Sequence, residues 1–381
     1  MKNTLCSNSI LSKAGSGIIG AMLTGSFALS VCAVTGRGLL AFLLCCVSCF
    51  AFSVKNKDSI FAPHAFLLLP LFYVFSHGST LACGLAIAGG GIIYLCLTKL
   101  IKKLSVPDFI VSGMGLGIAV GVTILLTNSY FGIGANSFTP FDMLKEFRSL
   151  GFHPNFRGLF YGTITLFSMI TYPFKFRKLN RYLPAAFVTL LIPYIFNLFL
   201  NPNKDLTTIN EAISLTFADS FKNDFSSFLM ISTKDIPFIL KASVGFGVIL
   251  FVFGNRKIST CPANCASGIL SGLPVKEHPI KSYGIISAVV SAAVIVLPIL
   301  LCPSAFSRLP LHCAGSMLIV SAWQSLPTSS VKAVFKERNF VKVILMVLCA
   351  VPFVLTDVFT SALVCFILWV IFGKASEKEV N

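Results

Sequence analysis

Apolar residues in this chain run in long unbroken blocks separated by short polar turns, with none of the two-residue alternation that marks barrel strands. Backbone in lipid must satisfy its own hydrogen bonds, so blocks of this kind predict helices that cross a bilayer. A full crossing takes about 20 residues, fewer where a helix is short or broken. On that basis twelve spans are predicted, at 15–34, 38–54, 61–77, 79–97, 109–127, 158–173, 182–200, 236–254, 283–302, 311–324, 343–355 and 358–373. A further segment, 263–274 (ANCASGILSGLP), is too short and too rich in Gly and Ser for a crossing. An excursion that enters and leaves on one side fits it, provided its small polar residues are buried in protein.

Composition agrees, with 55% hydrophobic and 12% charged residues. The 37 Phe against 2 Trp and 8 Tyr leave the interfacial aromatic belt thin. A net charge of +16 would point to nucleic acid in a soluble protein, but the positions of the charges give a different account. With the N-terminus inside and all twelve spans crossing, 21 of the 30 Lys and Arg fall on the inside and 8 outside. This expectation puts both termini in the cytoplasm of a multi-pass cell-membrane protein, a bacterial inner membrane by type. It makes the lipid bilayer a partner and gives no role to nucleic acid. Lys2 and Lys13 precede a stretch as long as a full span, without a convincing cleavage site, so a retained first helix is expected rather than a signal peptide. The tail, 374–381, is read as cytoplasmic.

Lys241 is the one formal charge inside a predicted span; it lies near the outer end, where snorkelling accounts for it, the alternative being a charge turned to a cavity. Two longer connections, 128–157 and 201–235, fall outside. The second mixes Glu211, Asp219 and Asp224 with apolar residues, a pattern for short amphipathic helices. Most of the 13 cysteines sit in apolar blocks as buried free thiols. Cys261 and Cys265 lack a second pair that would complete a metal site, so no metal or other cofactor is expected. Asp357 and His312 lie near membrane boundaries and form no recognisable catalytic pair. No nucleotide-binding loop, HExxH or Gly-x-Ser-x-Gly elbow is present, and the reading is of a protein that is not an enzyme.

Several stretches resemble the SulP family of anion transporters, in the family's order and over most of the chain. SGIIGAMLTGSFALSVCAVTGRGLLAFLL is similar to its first helix and the link to the second, and FAPHAFLLLPLFYVF to its third. LCLTKLIKKLSVPDFIVSGMGLGIAVGVTILL resembles the basic turn, proline and Gly-rich helix that follow. CPANCASGILSGLP resembles the stretch with a central Asn before the family's Gly-Gly-Ile-Pro, and SRLPLHCAGSMLIVSAWQSLP onward its last three helices.

The resemblance implies an all-α polytopic membrane protein of two inverted seven-helix repeats, sorted into core and gate domains. The first repeat would span 1–200, with an extracytoplasmic connection at 201–235 and the second repeat at 236–373. Pro107 before Gly113-Met114 and Pro310 before Gly315-Ser316-Met317 are a faint internal echo of the repeat. The implied chemistry is anion binding by the N-termini of two half-helices, the third and the tenth, through free N–H groups and helix dipoles. Pro63 suits a first helical position, and His64, Ala65 and Phe66 would follow it to the ligand, although His64 could instead lie in a boundary loop. Gly272, Leu273 and Pro274 would open the second half-helix, with Ser26 the polar residue of the first helix.

The pattern departs from the family at that second half-helix. Only VKEHPIKSYG separates Pro274 from the next span, ~15 Å if helical, and its Lys276, Glu277, His278 and Lys281 argue against a buried helix. The tenth-helix region is therefore expected to be shortened. The comparable eighth helix, SVGFGVILFVF, has no carboxylate, and no STAS domain is expected after the last span. The function implied is a secondary transporter of a small anion of the sulfate, bicarbonate or dicarboxylate class, working by alternating access. The resemblance suggests a homodimer. The alternative is a non-transporting scaffold or interaction protein derived from such a transporter.

Overall fold

The structure is a computed structural model that describes residues 10–377 apart from 56–58, 76–79, 101–105, 136, 138, 152, 201–232, 255–258, 279, 281–283, 302–308 and 338. The connection predicted at 201–235 thus lies outside the described residues except for 233–235, a single 3-10 turn. In the first half the elements are α1 (Ile10–Thr35), α2 (Leu39–Lys55), β1 (Ile60–Pro63), a 3-10 turn (Ala65–Leu67), α3 (Leu68–Phe75), α4 (Thr80–Leu100), α5 (Asp108–Phe131), α6 (Pro140–Leu150), α7 (Phe156–Lys175) and α8 (Ala185–Leu200). In the second half they are α9 (Ile236–Phe253), α10 (Thr260–Ser271), β2 (Val275–His278), α11 (Ile285–Leu301), α12 (Leu311–Gln324), α13 (Thr328–Lys336), α14 (Phe340–Ala350), α15 (Pro352–Leu355) and α16 (Val358–Glu377).

Among the described residues four helical stretches, Ser12–Thr35, Leu81–Leu100, Asp108–Phe131 and Thr233–Phe253, are long and apolar enough to cross a bilayer, and six shorter apolar helices accompany them. The surface they present is apolar, with Phe167, Phe174, Phe199, Phe366 and Val370 all exposed. Hydroxyls along the helices bond back to the carbonyl one turn earlier, as Ser53 does to Cys49 and Thr165 to Tyr161, which satisfies them without water. The chain is a multi-pass membrane protein. Among the described residues nine cysteines are buried as free thiols.

The helices sort into two groups. In one, α1 packs along α11, α4 along α9 and α10, and α2 on both α10 and α11, enclosing the two strands. In the other, α5 and α12 pack on each other and gather α7, α13 and α14. The groups meet where α1 touches α8 and α12, and where α9 touches α16. The contacts repeat under exchange of the halves: α4 on α9 corresponds to α11 on α1, and α1 on α8 to α9 on α16. These are two inverted repeats divided between a core and a gate.

The span predicted at 61–77 is a strand followed by a half-helix, a difference that patterning could not reveal because Ile60–Pro63 is as apolar as a helix. At 343–355 the predicted span runs as α14 and α15 joined through a helical Val351, with the hydrogen-bond ladder interrupted only where Pro352 cannot donate. The segment 263–274 falls in α10 and the turn after it. β2 runs antiparallel to β1, with Pro63 opposite Val275 and Ile60 opposite His278, so α10 and β2 together enter the core and return toward the end where β1 begins. Only six residues then separate His278 from Ile285, so the tenth half-helix is cut short.

Candidate functional site

A two-stranded ribbon inside a membrane protein leaves two edges to be bonded. On β1, the Phe61 N–H donates to Ser53 Oγ at 3.3 Å, and its carbonyl accepts from Thr24 Oγ1 at 3.0 Å. On β2, Val275 and Pro63 form a non-hydrogen-bonded pair, so the backbone groups of Val275 face away from β1. The Val275 N–H donates to Asn264 Oδ1 at 3.0 Å and its carbonyl accepts from Asn264 Nδ2 at 2.8 Å. Side chains from α1, α2 and α10 thus finish the ribbon and hold it in the core.

After Pro63 the chain turns into the half-helix formed by the 3-10 turn and α3. Its eleven residues, 65–75, give about 16 Å, half a hydrocarbon thickness. His64 is extended (φ −132°, ψ 136°) and caps the turn, its Nδ1 accepting from the Phe66 N–H at 3.2 Å. Its Nε2 lies 3.1 Å from Ser325 Oγ at the end of gate helix α12. The Ser325 hydroxyl donates to the Ser321 carbonyl at 2.7 Å, so it accepts from His64 and Nε2 carries the imidazole proton. Both ring nitrogens are engaged by this neutral tautomer, and the ring is buried at 6% exposure.

Residues alternate across a strand, so Lys276 and His278 share the face of β2 that carries Ala62 and Ile60 opposite them. The His278 ring lies 5.9 Å from the His64 ring and 5.6 Å from Phe27 of α1. Its Nε2 is buried without a hydrogen-bond partner among the described residues. Lys276 is close enough to act electrostatically on both imidazoles. Phe66 closes the other side, edge-on to Phe253 at 5.0 Å. The opposite face of β2 carries Glu277, which accepts from Ser259 Oγ at 2.8 Å beside the N-terminus of α10, where the helix dipole favours a carboxylate.

Pro63, His64, Ala65 and Phe66 therefore come together at the start of the half-helix. Gly272, Leu273 and Pro274 do not offer N–H groups to it. Gly272 is the left-handed cap of α10 (φ 65°), its N–H donating to the Gly268 carbonyl at 2.7 Å, and the Leu273 N–H reaches Ser271 Oγ at 3.3 Å. Against Gly272 lies the guanidinium of Arg37, 3.1 Å from where a Cβ would stand. Arg37 is 4% exposed and lies at the carbonyl end of α10, where the helix dipole favours a cation. Ser26 bonds inside its own helix, its Oγ donating to the Met22 carbonyl at 2.6 Å, and its neighbour Phe27 is what α1 turns to His278.

Lys276, His278 and Ser325 were not among the residues expected at the site. The signal for Lys276 and His278 was a charged, proline-flanked stretch directly after the excursion, which reads as a loop until β2 is paired, and Ser325 carried none.

No family model matches the chain, and no curated protein matches it. Solved structures do. The transmembrane domain of a cyanobacterium bicarbonate transporter, BicA, superposes with a TM-score of 0.60 at 15% identity, covering 93% of this chain and 97% of that one. The overall structure of SLC26A9 gives 0.66 at 10% identity, covering 97% and 67%. The murine Slc26a9 anion transporter in the inward-facing state gives 0.63 at 11% identity, covering 96% and 69%. The chain is built on the transmembrane fold of these transporters.

Proposed function

We propose that this chain is a secondary transporter of a small anion, with its site on the core where the half-helix start at Pro63–Phe66 faces Lys276 and His278. The reading is supported above all by the position of Lys276. In this fold two helix N-termini would hold an anion without a fixed charge. Here the second is cut short, and a lysine ammonium on β2 stands in its place, on the face shared with His278 and close to His64. Fixed positive charge substitutes for the missing dipole.

Core and gate would rock past one another around this site, giving alternating access between the two sides. The excess of Lys and Arg on one side favours both termini in the cytoplasm, and a bacterial inner membrane is the setting we assign. The substrate classes to test are sulfate, bicarbonate and dicarboxylates, the first two being small oxyanions and the third a pair of carboxylates. Repeats at 1–200 and 236–373, and a homodimer, complete the proposal.

One observation favours a second reading, a non-transporting scaffold. His64 caps the Phe66 N–H with its own ring, so the donor an anion would use is already occupied. The two readings separate in proteoliposomes loaded with each labelled anion in turn. The transporter reading expects uptake of at least one, reduced ~10-fold or more by Lys276→Gln, with folding checked by size-exclusion chromatography. Absence of flux for all three anions would leave the scaffold reading, and flux indifferent to Lys276→Gln would remove the site.

A further inference from the structure

Of the ion pairs whose two partners are both described, only one joins core to gate. Lys241 Nζ of α9 lies 3.8 Å from Asp357 Oδ2, at the start of α16. The side chains are 43% and 16% exposed, so the carboxylate is the more enclosed partner. Asp357 is also held in place by its own helix: its Oδ1 accepts from the Thr360 N–H and its Oδ2 from Thr360 Oγ1, both at 2.9 Å. One turn along α9, Gly245 lets the two helices approach, since a Cβ there would stand 2.8 Å from Val358 Cγ1. Tyr73, at the end of α3, lies within electrostatic reach of Asp357, and its ring sits 6.0 Å from that of Phe238 of α9, tilted by 55°. The end of the half-helix, α9 and α16 therefore converge on this pair.

The inverted repeat supplies an internal control. The contact equivalent to α9 on α16 is α1 on α8, at the opposite end of the bundle. There the side chain that bonds the first N–H of the gate helix is that of Asn180, whose Oδ1 accepts from the Ala185 N–H at 2.9 Å. Among the described residues, then, a neutral amide bonds the start of the gate helix at one end and a carboxylate at the other.

We infer that Lys241 and Asp357 form a one-sided electrostatic latch that holds core and gate together at the end of the bundle where α3 finishes, and opens when the two groups separate there. The inference uses the transporter reading only for its consequence: a latch at one end biases the molecule toward the state open at the other. Partly exposed ion pairs contribute modestly, so the bias is a shift of populations rather than a lock.

Amide exchange read by mass spectrometry in lipid nanodiscs tests it without requiring transport. Asp357→Asn keeps an oxygen for the Thr360 N–H while removing the charge, and Lys241→Gln removes the other charge. Each is expected to raise exchange in the first turns of α9 and α16 roughly two- to fivefold, while the α1–α8 contact stays at the native rate. The double variant is expected to exchange no faster than either single one, because the pair is already broken. Unchanged exchange in the single variants, or effects that add in the double, would overturn the latch. Uptake measured on the same variants keeps the two proposals apart. A protein that moves no anion but shows the coupled exchange retains the latch and loses the transporter reading. One that moves anions with additive exchange loses the latch alone.

Discussion

Asn264 does for Val275 what a third strand would do: its amide oxygen takes the Val275 N–H at 3.0 Å, and its amide nitrogen returns a bond to the Val275 carbonyl at 2.8 Å. The same nitrogen donates to the Thr260 carbonyl at 2.9 Å, which ties the ribbon to its own helix. Asn264 and Val275 are at most 1% exposed, so water cannot replace these bonds. Asn264→Ala should therefore destabilise the protein by ~2–4 kcal/mol, the cost of leaving a buried donor and acceptor unmet. Asn264→Asp should not rescue it, since a carboxylate lacks the donor. Thermal unfolding in detergent, read as a fall in midpoint of several degrees for both variants, is the check.

A close backbone crossing makes a second demand on α10. A Cβ on Gly84 of α4 would stand 2.7 Å from the Gly268 carbonyl oxygen, and one on Gly268 would stand 3.0 Å from the Gly84 carbonyl oxygen. Small residues at such a crossing let helices pack where lipid offers no hydrophobic drive. Gly84→Val should lower the unfolding midpoint, whereas Gly15→Ala on α1, with nothing within 4 Å, should raise it slightly through helix propensity, by about 0.5–1 kcal/mol. Equal effects from the two substitutions would mean that the α4–α10 crossing is looser than its geometry.

The helices were legible because their information is local: an apolar block bounded by Lys, Pro or Gly reads as a span wherever it folds. Even the shortening of the tenth half-helix was legible, since ten residues with three charges and a histidine cannot make a buried helix. What could not be read was pairing at a distance. Ile60–Pro63 becomes a strand because β2 lies beside it and because Thr24 and Ser53 bond its free edge. Lys276 and His278 looked like loop residues for the same reason, as their common face exists only once the register is set. Gly272–Pro274 carried a family likeness, but its N–H groups close α10 instead. Lys241 was read as a single side chain reaching for headgroups, and its partner Asp357 is distant in sequence.

Acid should loosen α6. Asp142 is held below the ordinary carboxylate value of 3.8 by the hydrogen bond from the Thr139 hydroxyl, with Lys145 adding to it. A carboxyl whose folded value is depressed contributes stability above its unfolded value and loses it as pH falls through the folded one. Exchange at the amides of Pro140–Leu150 should thus stay level from neutral pH to about 4 and rise below it, once corrected for intrinsic exchange. Asp142→Asn should remove that rise, because the asparagine does not titrate.

His64 offers the sharpest test of what the half-helix start is for. Its ring nitrogen occupies the Phe66 N–H, and its other nitrogen reaches across to Ser325 on the gate. Removing the ring should cost ~1–2 kcal/mol in the absence of anion, the usual effect of losing a helix cap. It should also free the Phe66 N–H for a ligand. His64→Ala should then gain more thermal stability than the native protein from sulfate, bicarbonate or a dicarboxylate, with apparent affinity tighter by about fivefold if one hydrogen bond of ~1 kcal/mol no longer has to be displaced. His64→Asn, which can cap the turn without reaching Ser325, should keep the native midpoint without anion. Chloride-free buffer and a titration of each anion against unfolding temperature would measure all three proteins. If His64→Ala gained no more than the native chain, the Phe66 N–H would not be an anion donor, and binding would rest on Lys276 and His278.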